Sequence, residues 1–186
     1  MITNKFLNGK LLVAPPKNQE GHFSKSIVLI AQHSESGAWG VVVNKLSNTV
    51  SMQTIMKAAG IESNFDGKVY VGGPIEHTRV QIVHSLDWFN SNTLQITDDI
   101  GITGDISILS AIAGGQGPDF FRAGVGLAIW STGQLEGELS GKSPWTSDNQ
   151  WLITDSSIEH CLTSNGETQW QRAINECVNR RIATLF

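Results

Sequence analysis

Two apolar runs that sit close together restrict the fold more than anything else in this chain. Ile27 to Ala31 and Gly40 to Val43 are apolar on successive residues, not on alternate ones. Runs of that kind belong to strands buried on both faces. His33 to Gly37 separates them with the Ser and Gly of a turn, so they read as a hairpin whose two faces each need a covering layer. The 186 residues are enough to supply both layers, because a compact domain of this size buries roughly 70% of the surface its unfolded chain exposes.

The other elements come in irregular order. Leu11 to Ala14 is an apolar run halted by Pro15 and Pro16, a strand leading into a loop that continues to about Gly21. Ser51 suits an N-cap, and Met52, Ile55, Met56 and Ala59 then recur at helical spacing up to Gly60 as the C-cap. Val69 to Val71 and Val80 to Val83 read as strands broken by Gly72, Gly73 and Pro74, and residues 93 to 97 add another. A second helix starts at Thr103 or Asp105, carries Ile106, Leu109, Ser110 and Ala113 on one face and ends in Gly114 to Pro118. Val125 to Trp130 follows as a strand, Gln134 to Leu139 as a short helix and Trp151 to Ile153 as a strand. A turn of helix covers Ile158 to Leu162, and Trp170, Ala173, Ile174 and Cys177 stripe a last helix over Trp170 to Val178. Hairpins first and helices inserted later favour a mixed sheet over a doubly wound parallel one. Without repeats or a linker, residues 1–186 read as one domain.

Composition narrows the setting. Cys161 and Cys177, fifteen residues intervening, form neither a disulfide framework nor a short-spaced zinc pair, and both read as reduced thiols. Lys5, Lys10 and Lys17 flank Phe6 to Ala14 without the apolar core of a signal peptide. No apolar run reaches membrane-spanning length, so a cytoplasmic protein without membrane contact is expected. The formal net charge of −4 opposes nucleic-acid binding. Arg172, Arg180 and Arg181 near the C-terminus are explained by the dipole of the last helix.

Motifs with a fixed chemistry mostly fail. Gly137-Glu-Leu-Ser-Gly141-Lys142-Ser143 has three residues between its glycines where a phosphate-binding loop needs four, and Pro144 and Trp145 follow in place of a helix. Gly124-Val-Gly126 lacks the third glycine of a dinucleotide fold, and no serine stands in Gly-x-Ser-x-Gly. His22, His33, His77, His84 and His160 lack the pairing of a helical zinc site and read as scattered surface or capping residues. Asp98-Asp99 suits a solvated turn, and Glu136 and Glu138 point different ways from one short helix. The tryptophans Trp39, Trp88, Trp130, Trp145, Trp151 and Trp170 either fill the core or line a groove beside their neighbouring glycines.

Taken in order, Phe23-Ser-Lys-Ser-Ile-Val-Leu-Ile with His33, then Gly37-Ala-Trp-Gly-Val-Val-Val-Asn44-Lys45, resembles the opening signature of the YqgE/AlgH family. Val71-Gly72-Gly73-Pro74 with Arg79 and His84 is similar to its second motif. Trp130-Ser-Thr-Gly133-Gln134-Leu135-Glu136-Gly-Glu138-Leu139 with Trp145 is similar to its third, and Thr103 to Leu109 lies between as a helix start. The chain departs from the family pattern at Leu46, where a proline is usual, at Leu127, where an aromatic residue is usual, and at residues 80 to 84. The resemblance implies an α+β fold with a mixed, bifurcated, partly barrel-like sheet surrounded by helices. It brings no established activity: members are described as uncharacterised, some with a transcriptional-regulator label.

Asn, Gln and Glu beside glycines suit the floor of a recess with aromatic walls. The leading expectation is therefore a non-catalytic regulatory or ligand-binding protein. Its Asn44, Gly72, Gly73, Pro74, His84, Trp130, Gln134 and Glu138 would form one face that takes a small molecule or a protein, with no metal and no cofactor. An alternative is a hydrolase-like enzyme with Glu138 or His84 as acid/base and Asn44 and Gln134 orienting substrate. Direct DNA binding ranks last.

Overall fold

A computed structural model describes residues 6–17, 20–141, 144 and 151–183. Lys5, Lys142, Ser143 and Trp145, named above, lie outside the described residues. The predicted hairpin is β2 (Ile27–Ser34) and β3 (Gly37–Val42), with a turn tighter than expected because His33 and Ser34 continue the ladder opposite Ala38 and Gly37. On its outer side β1 (Lys10–Val13) pairs β2, and β9 (Leu152–Asp155) pairs β1, both antiparallel.

The remaining strands are β4 (Val69–Val71), β5 (Ile75–Ser85), β6 (Leu94–Gln95), β7 (Ile100–Thr103) and β8 (Phe121–Trp130). Among the described residues they complete one nine-stranded sheet, eight strands in the order β6-β7-β5-β8-β3-β2-β1-β9 and β4 off that path beside β8. The fork is at β8. Its first half pairs β4 in parallel through Ala123 to Val125, and its last half pairs β3 antiparallel through Ala128 to Trp130. Gly72 stitches the fork, donating to the Val125 carbonyl at 2.8 Å and accepting from the Val42 amide at 2.8 Å.

Alternation explains why successive residues are apolar. Leu11, Val13, Leu29, Val41, Val83, Ile102 and Leu127 converge on one cluster, whereas residues of the opposite parity divide between two. One face gathering to a single cluster while the other splits is the geometry of a sheet curled into a half-barrel. The inner cluster is closed at one end by a π-helical turn (Glu159–Thr163) and by α4 (Gly166–Ala183), whose Trp170, Ala173, Ile174 and Cys177 are buried as the stripe predicts. Cys161 and Cys177 are buried free thiols there. Outside, α3 (Gln134–Ser140) brings Leu135 to the cluster of Ala128 and Trp130. The other outer cluster takes α1 (Met52–Ala58) and α2 (Ile106–Ala113). Among the described residues no helix is long and apolar enough to cross a membrane.

Three local expectations need correction. Residues 100–103 form β7, which the short Ile-Gly-Ile-Thr run did not signal because Gly101 interrupts its apolar pattern. Asp105, not Thr103, caps α2 by accepting from the Ser107 amide. The buried side of α2 is Ile108, Leu109 and Ile112, and Ile106 is 52% exposed because as the first helical residue it overhangs the cap.

Arg122 carries the closed end. It is 4% exposed, points inward from β8 and places its guanidinium 4.5 Å over the Tyr70 ring. It donates to the Val43 and Ser164 carbonyls and, at 2.8 Å, to Gln169 Oε1 on α4. Neutral acceptors thus hold a buried cation, and desolvation lowers its pKa.

At Gly126 the alternation of β8 reverses. Ala123 faces the outer cluster, yet Leu127, four residues on, faces the inner one, a change of face that an intact strand cannot make. Gly126 has φ +89, and a Cβ there would lie 2.4 Å from the Gly73 carbonyl oxygen. Opposite, β5 bulges between Ile75 and Val80. Gly115, with φ +71 and open space around its Cα, supplies the control. In urea denaturation Gly115→Ala should cost about 1–2 kcal/mol, the left-handed penalty alone, and Gly126→Ala more than about 3 kcal/mol. Equal losses would contradict the bulge as a packing constraint.

Candidate functional site

The residues expected to share one face occupy four settings. Trp130, Gln134 and Glu138 do meet. Glu138 Oε2 accepts from the indoles of Trp130 and Trp151, each at 2.9 Å, and Oε1 accepts from Gln134 Nε2 at 3.0 Å. Gln134 Oε1 in turn accepts from the Ser131 amide and hydroxyl at 3.0 Å. Phe23 stacks on Trp130 and meets Trp151 edge-on. This box is closed: Glu138 is 9% exposed, and its carboxylate fastens α3 to β8 and to Trp151 on the outer face.

Asn44 is elsewhere, 1% exposed, and spends its amide on the backbone. Its Oδ1 accepts from the Ile27 amide at 2.8 Å, and Nδ2 donates to the carbonyls of Lys25 at 2.8 Å and Gly166 at 3.2 Å. Gly72, Gly73 and Pro74 make the fork, where a Cβ on Gly73 would lie 2.1 Å from the Leu127 backbone. His84 is fully buried on the outer face, its Nδ1 bonded to the Ser85 carbonyl at 2.9 Å and its ring edge-on to Trp88. A polar side chain beside glycines is required here by the packing itself, so a single recess does not form.

The histidines also differ from expectation, since His33 as well as His84 is buried. His33 Nδ1 accepts from the Leu7 amide at 3.1 Å, which places the proton on Nε2, facing Glu136 Oε1 at 3.2 Å. Among the described residues no group of His, Cys, Asp and Glu is placed to hold a metal ion.

A different site lies at the open end of the half-barrel. Two cavities of about 660 and 550 Å³ share Trp39 and Arg79, so together they form one trough across the inner face. The larger lobe runs over Gln81, Asn92, Leu94 and Ile102 to Asp105, and the smaller over Gln32, Leu127 and Ile129 to Trp130, whose indole turns to the other face. The β5 bulge forms the rim, with Glu76 held at φ +56, a conformation that costs a non-glycine residue about 1–2 kcal/mol.

Gln81 is the unusual member. Its residue is 5% exposed and lines the trough, yet its side-chain amide hydrogen-bonds to no described residue. The polar end of Gln81 is not sealed from solvent: it opens onto the trough, where its donor and acceptor are available. Beside it Arg79 forms no ion pair with a described residue. Trp39 Nε1 donates to Gln32 Oε1 at 3.1 Å, which fixes the ring as the trough wall. At the far end Asp105 accepts from Ser107 and Asn92, the backbone bond to Ser107 first among the causes that lower its pKa. Sequence reading missed Gln81, although a glutamine inside the apolar run Val80–Val83 was the available signal.

With the geometry in place, likeness to known proteins is informative. The profile of a family described as AlgH-like matches residues 11–180. A UPF0301 protein of Rickettsia typhi is 34% identical over 171 residues, 90% of this chain and 87% of its own length. A UPF0301 protein of Marinomonas sp. is 31% identical over 166 residues, 87% and 84% of the two chains. The solution structure of the AlgH protein from Pseudomonas aeruginosa matches with a TM-score of 0.74 at 25% identity, covering 95% of this chain and 91% of that one. A protein of Corynebacterium diphtheriae solved by crystallography shares the fold, with a TM-score of 0.71 at 21% identity over 93% and 88% of the chains.

His84 gives a test by pH. Desolvation lowers its pKa, opposed by the Ser85 carbonyl and the Asp87 charge. The unfolded chain therefore takes up this proton first, and stability should fall as pH drops below about 6.5, the ordinary histidine value. Unfolding free energies measured between pH 7.5 and 5 should show a shallower decline in His84→Gln than in the wild type. Parallel curves would contradict the assignment of a neutral, buried ring.

Proposed function

The chain belongs to the AlgH-like family, and from that premise we propose that it is a non-catalytic, cytoplasmic ligand-binding protein with a regulatory role. Its ligand occupies the trough around Trp39 and Arg79. The observation that carries this reading is Gln81: a largely buried residue whose carboxamide bonds to no described residue and opens onto the trough. The fold satisfies Asn44, Gln134 and Glu138 internally and turns this amide to the trough, within reach of something that arrives. The strained Glu76 on the rim supports the same reading, since local strain of this kind persists at sites with a use.

Binding suits the chemistry better than turnover. Glu138 uses both oxygens on three donors, and His84 is sealed beneath Trp88. Neither borders the trough. Regulation through a bound partner suits the charge better than direct DNA reading. The net charge is −4, Arg172 pairs with Glu159, and Arg180 pairs with Asp155 and Glu176. The buried thiols Cys161 and Cys177 fit a reducing compartment.

Nuclear magnetic resonance titration of the full chain with a panel of small carboxylates, amides and phosphates tests this reading. Shifts should concentrate on the Trp39 indole, the Gln81 side-chain amide and the backbone of residues 78–81 and 102–105. A panel in which no compound perturbs them, or in which shifts gather at the recess between Gln53 and Asn64, would contradict it.

A further inference from the structure

We infer that the occupant of the trough is an extended peptide segment, lying across the strands with an acidic side chain at Arg79. The inference rests on the trough being the binding site and names what fills it.

The first argument is dimensional. The trough crosses β2, β3, β8, β5 and β7, five neighbours in the sheet. At ~4.8 Å between strands this spans about 19 Å, and an extended chain advancing ~3.3 Å per residue covers it with about six residues. A compact metabolite would fill one lobe, whereas Trp39 and Arg79 border both.

The second argument is the chemistry of the walls. Gln81 presents a free donor and a free acceptor, Asn92 Oδ1 is a further acceptor, and Gln32 keeps its NH2 after accepting from Trp39. Mixed carboxamides match the alternating N–H and C=O groups of a peptide backbone. A phosphate offers acceptors alone and would oppose both free carbonyl oxygens and the Asp105 carboxylate at the end of the trough. Between the polar groups Leu94 and Ile129 are 37% and 46% exposed, surface that an apolar side chain on the same segment would cover.

The third argument is charge. Arg79 is the cation among the described residues that line the trough, and it pairs with no described carboxylate. Its planar fork fits a carboxylate through two parallel hydrogen bonds, a geometry lysine cannot offer.

The experiment uses the full chain and pools of hexapeptides with randomised flanks and a fixed central Glu or Lys, with inorganic phosphate and glutarate as separate probes. Binding is read from the Trp39 indole and Gln81 amide resonances. The Glu-centred pool should bind about tenfold tighter than the Lys-centred pool, and Arg79→Glu should reverse that order. Arg79 is exposed, so the variant should keep the wild-type backbone spectrum, which the same measurement verifies. Equal binding by both pools, or an unchanged preference in Arg79→Glu, would overturn the inference. If phosphate or glutarate moves those resonances and the peptides do not, the trough stands as the site and the peptide assignment falls. If no probe moves them, both fall.

Discussion

The approach of Gly126 to Gly73, too close for any side chain to intervene, is the constraint on which the inner face depends. It lets β8 change phase in mid-strand. Below it, Arg122 points inward and ties the strand to α4. Above it, Leu127 joins the same inner cluster, and Leu127 and Ile129 line the trough. Without the reversal Leu127 would turn outward, exchanging places with Ala128, and the loss of a buried leucine alone is worth about 1.5–3 kcal/mol. The fork at Gly72 follows from the same point. Once β8 has bulged, β4 and β3 each take part of one edge, and β5 is pushed out over Glu76 to Arg79.

The half-barrel that results has unlike ends. At the closed end the terminal nitrogens of Arg122 and the side-chain amides of Gln169 and Asn44 bond to carbonyls, amides or each other, and Trp170 donates to the Ala14 carbonyl at 2.8 Å. Burial there also pushes the Cys161 thiol up to about 12, which keeps it unreactive at neutral pH. At the open end the sheet continues, but no helix comes to cover it among the described residues. Gln81 and Arg79 face that gap with hydrogen-bonding capacity unused, at a distance from the fastened box of Glu138. The contrast is between side chains spent on the fold and side chains that open onto the trough.

Much of the fold was legible in the chain itself. The doubly buried hairpin, the Ser51 cap and the Trp170 stripe are local, and each follows from spacing within one element. The family motifs carried the bifurcated, barrel-like sheet, which no periodicity indicates. The site was less legible for a physical reason. A polar residue inside an apolar setting signals that a hydrogen bond is needed, but not whether the protein supplies it. Asn44 and Glu138 looked like the floor of a recess and turn out to be satisfied by Ile27, Lys25, Trp130 and Trp151, contacts as distant in sequence as Gly166 is from Asn44. Gln81 carried the same signal, and its amide opens onto the trough instead. Only the assembled sheet distinguishes them.

Replacing that amide by a hydrocarbon of similar size tests the account most directly, through stability and binding measured on the same Gln81→Leu protein. The account predicts that unfolding free energy stays level to within about 1 kcal/mol, since the amide hydrogen-bonds to no described residue, while occupancy of the trough by its ligand is lost. A fall in stability of about 2 kcal/mol or more, with binding retained, would show that Gln81 serves the fold and not a ligand.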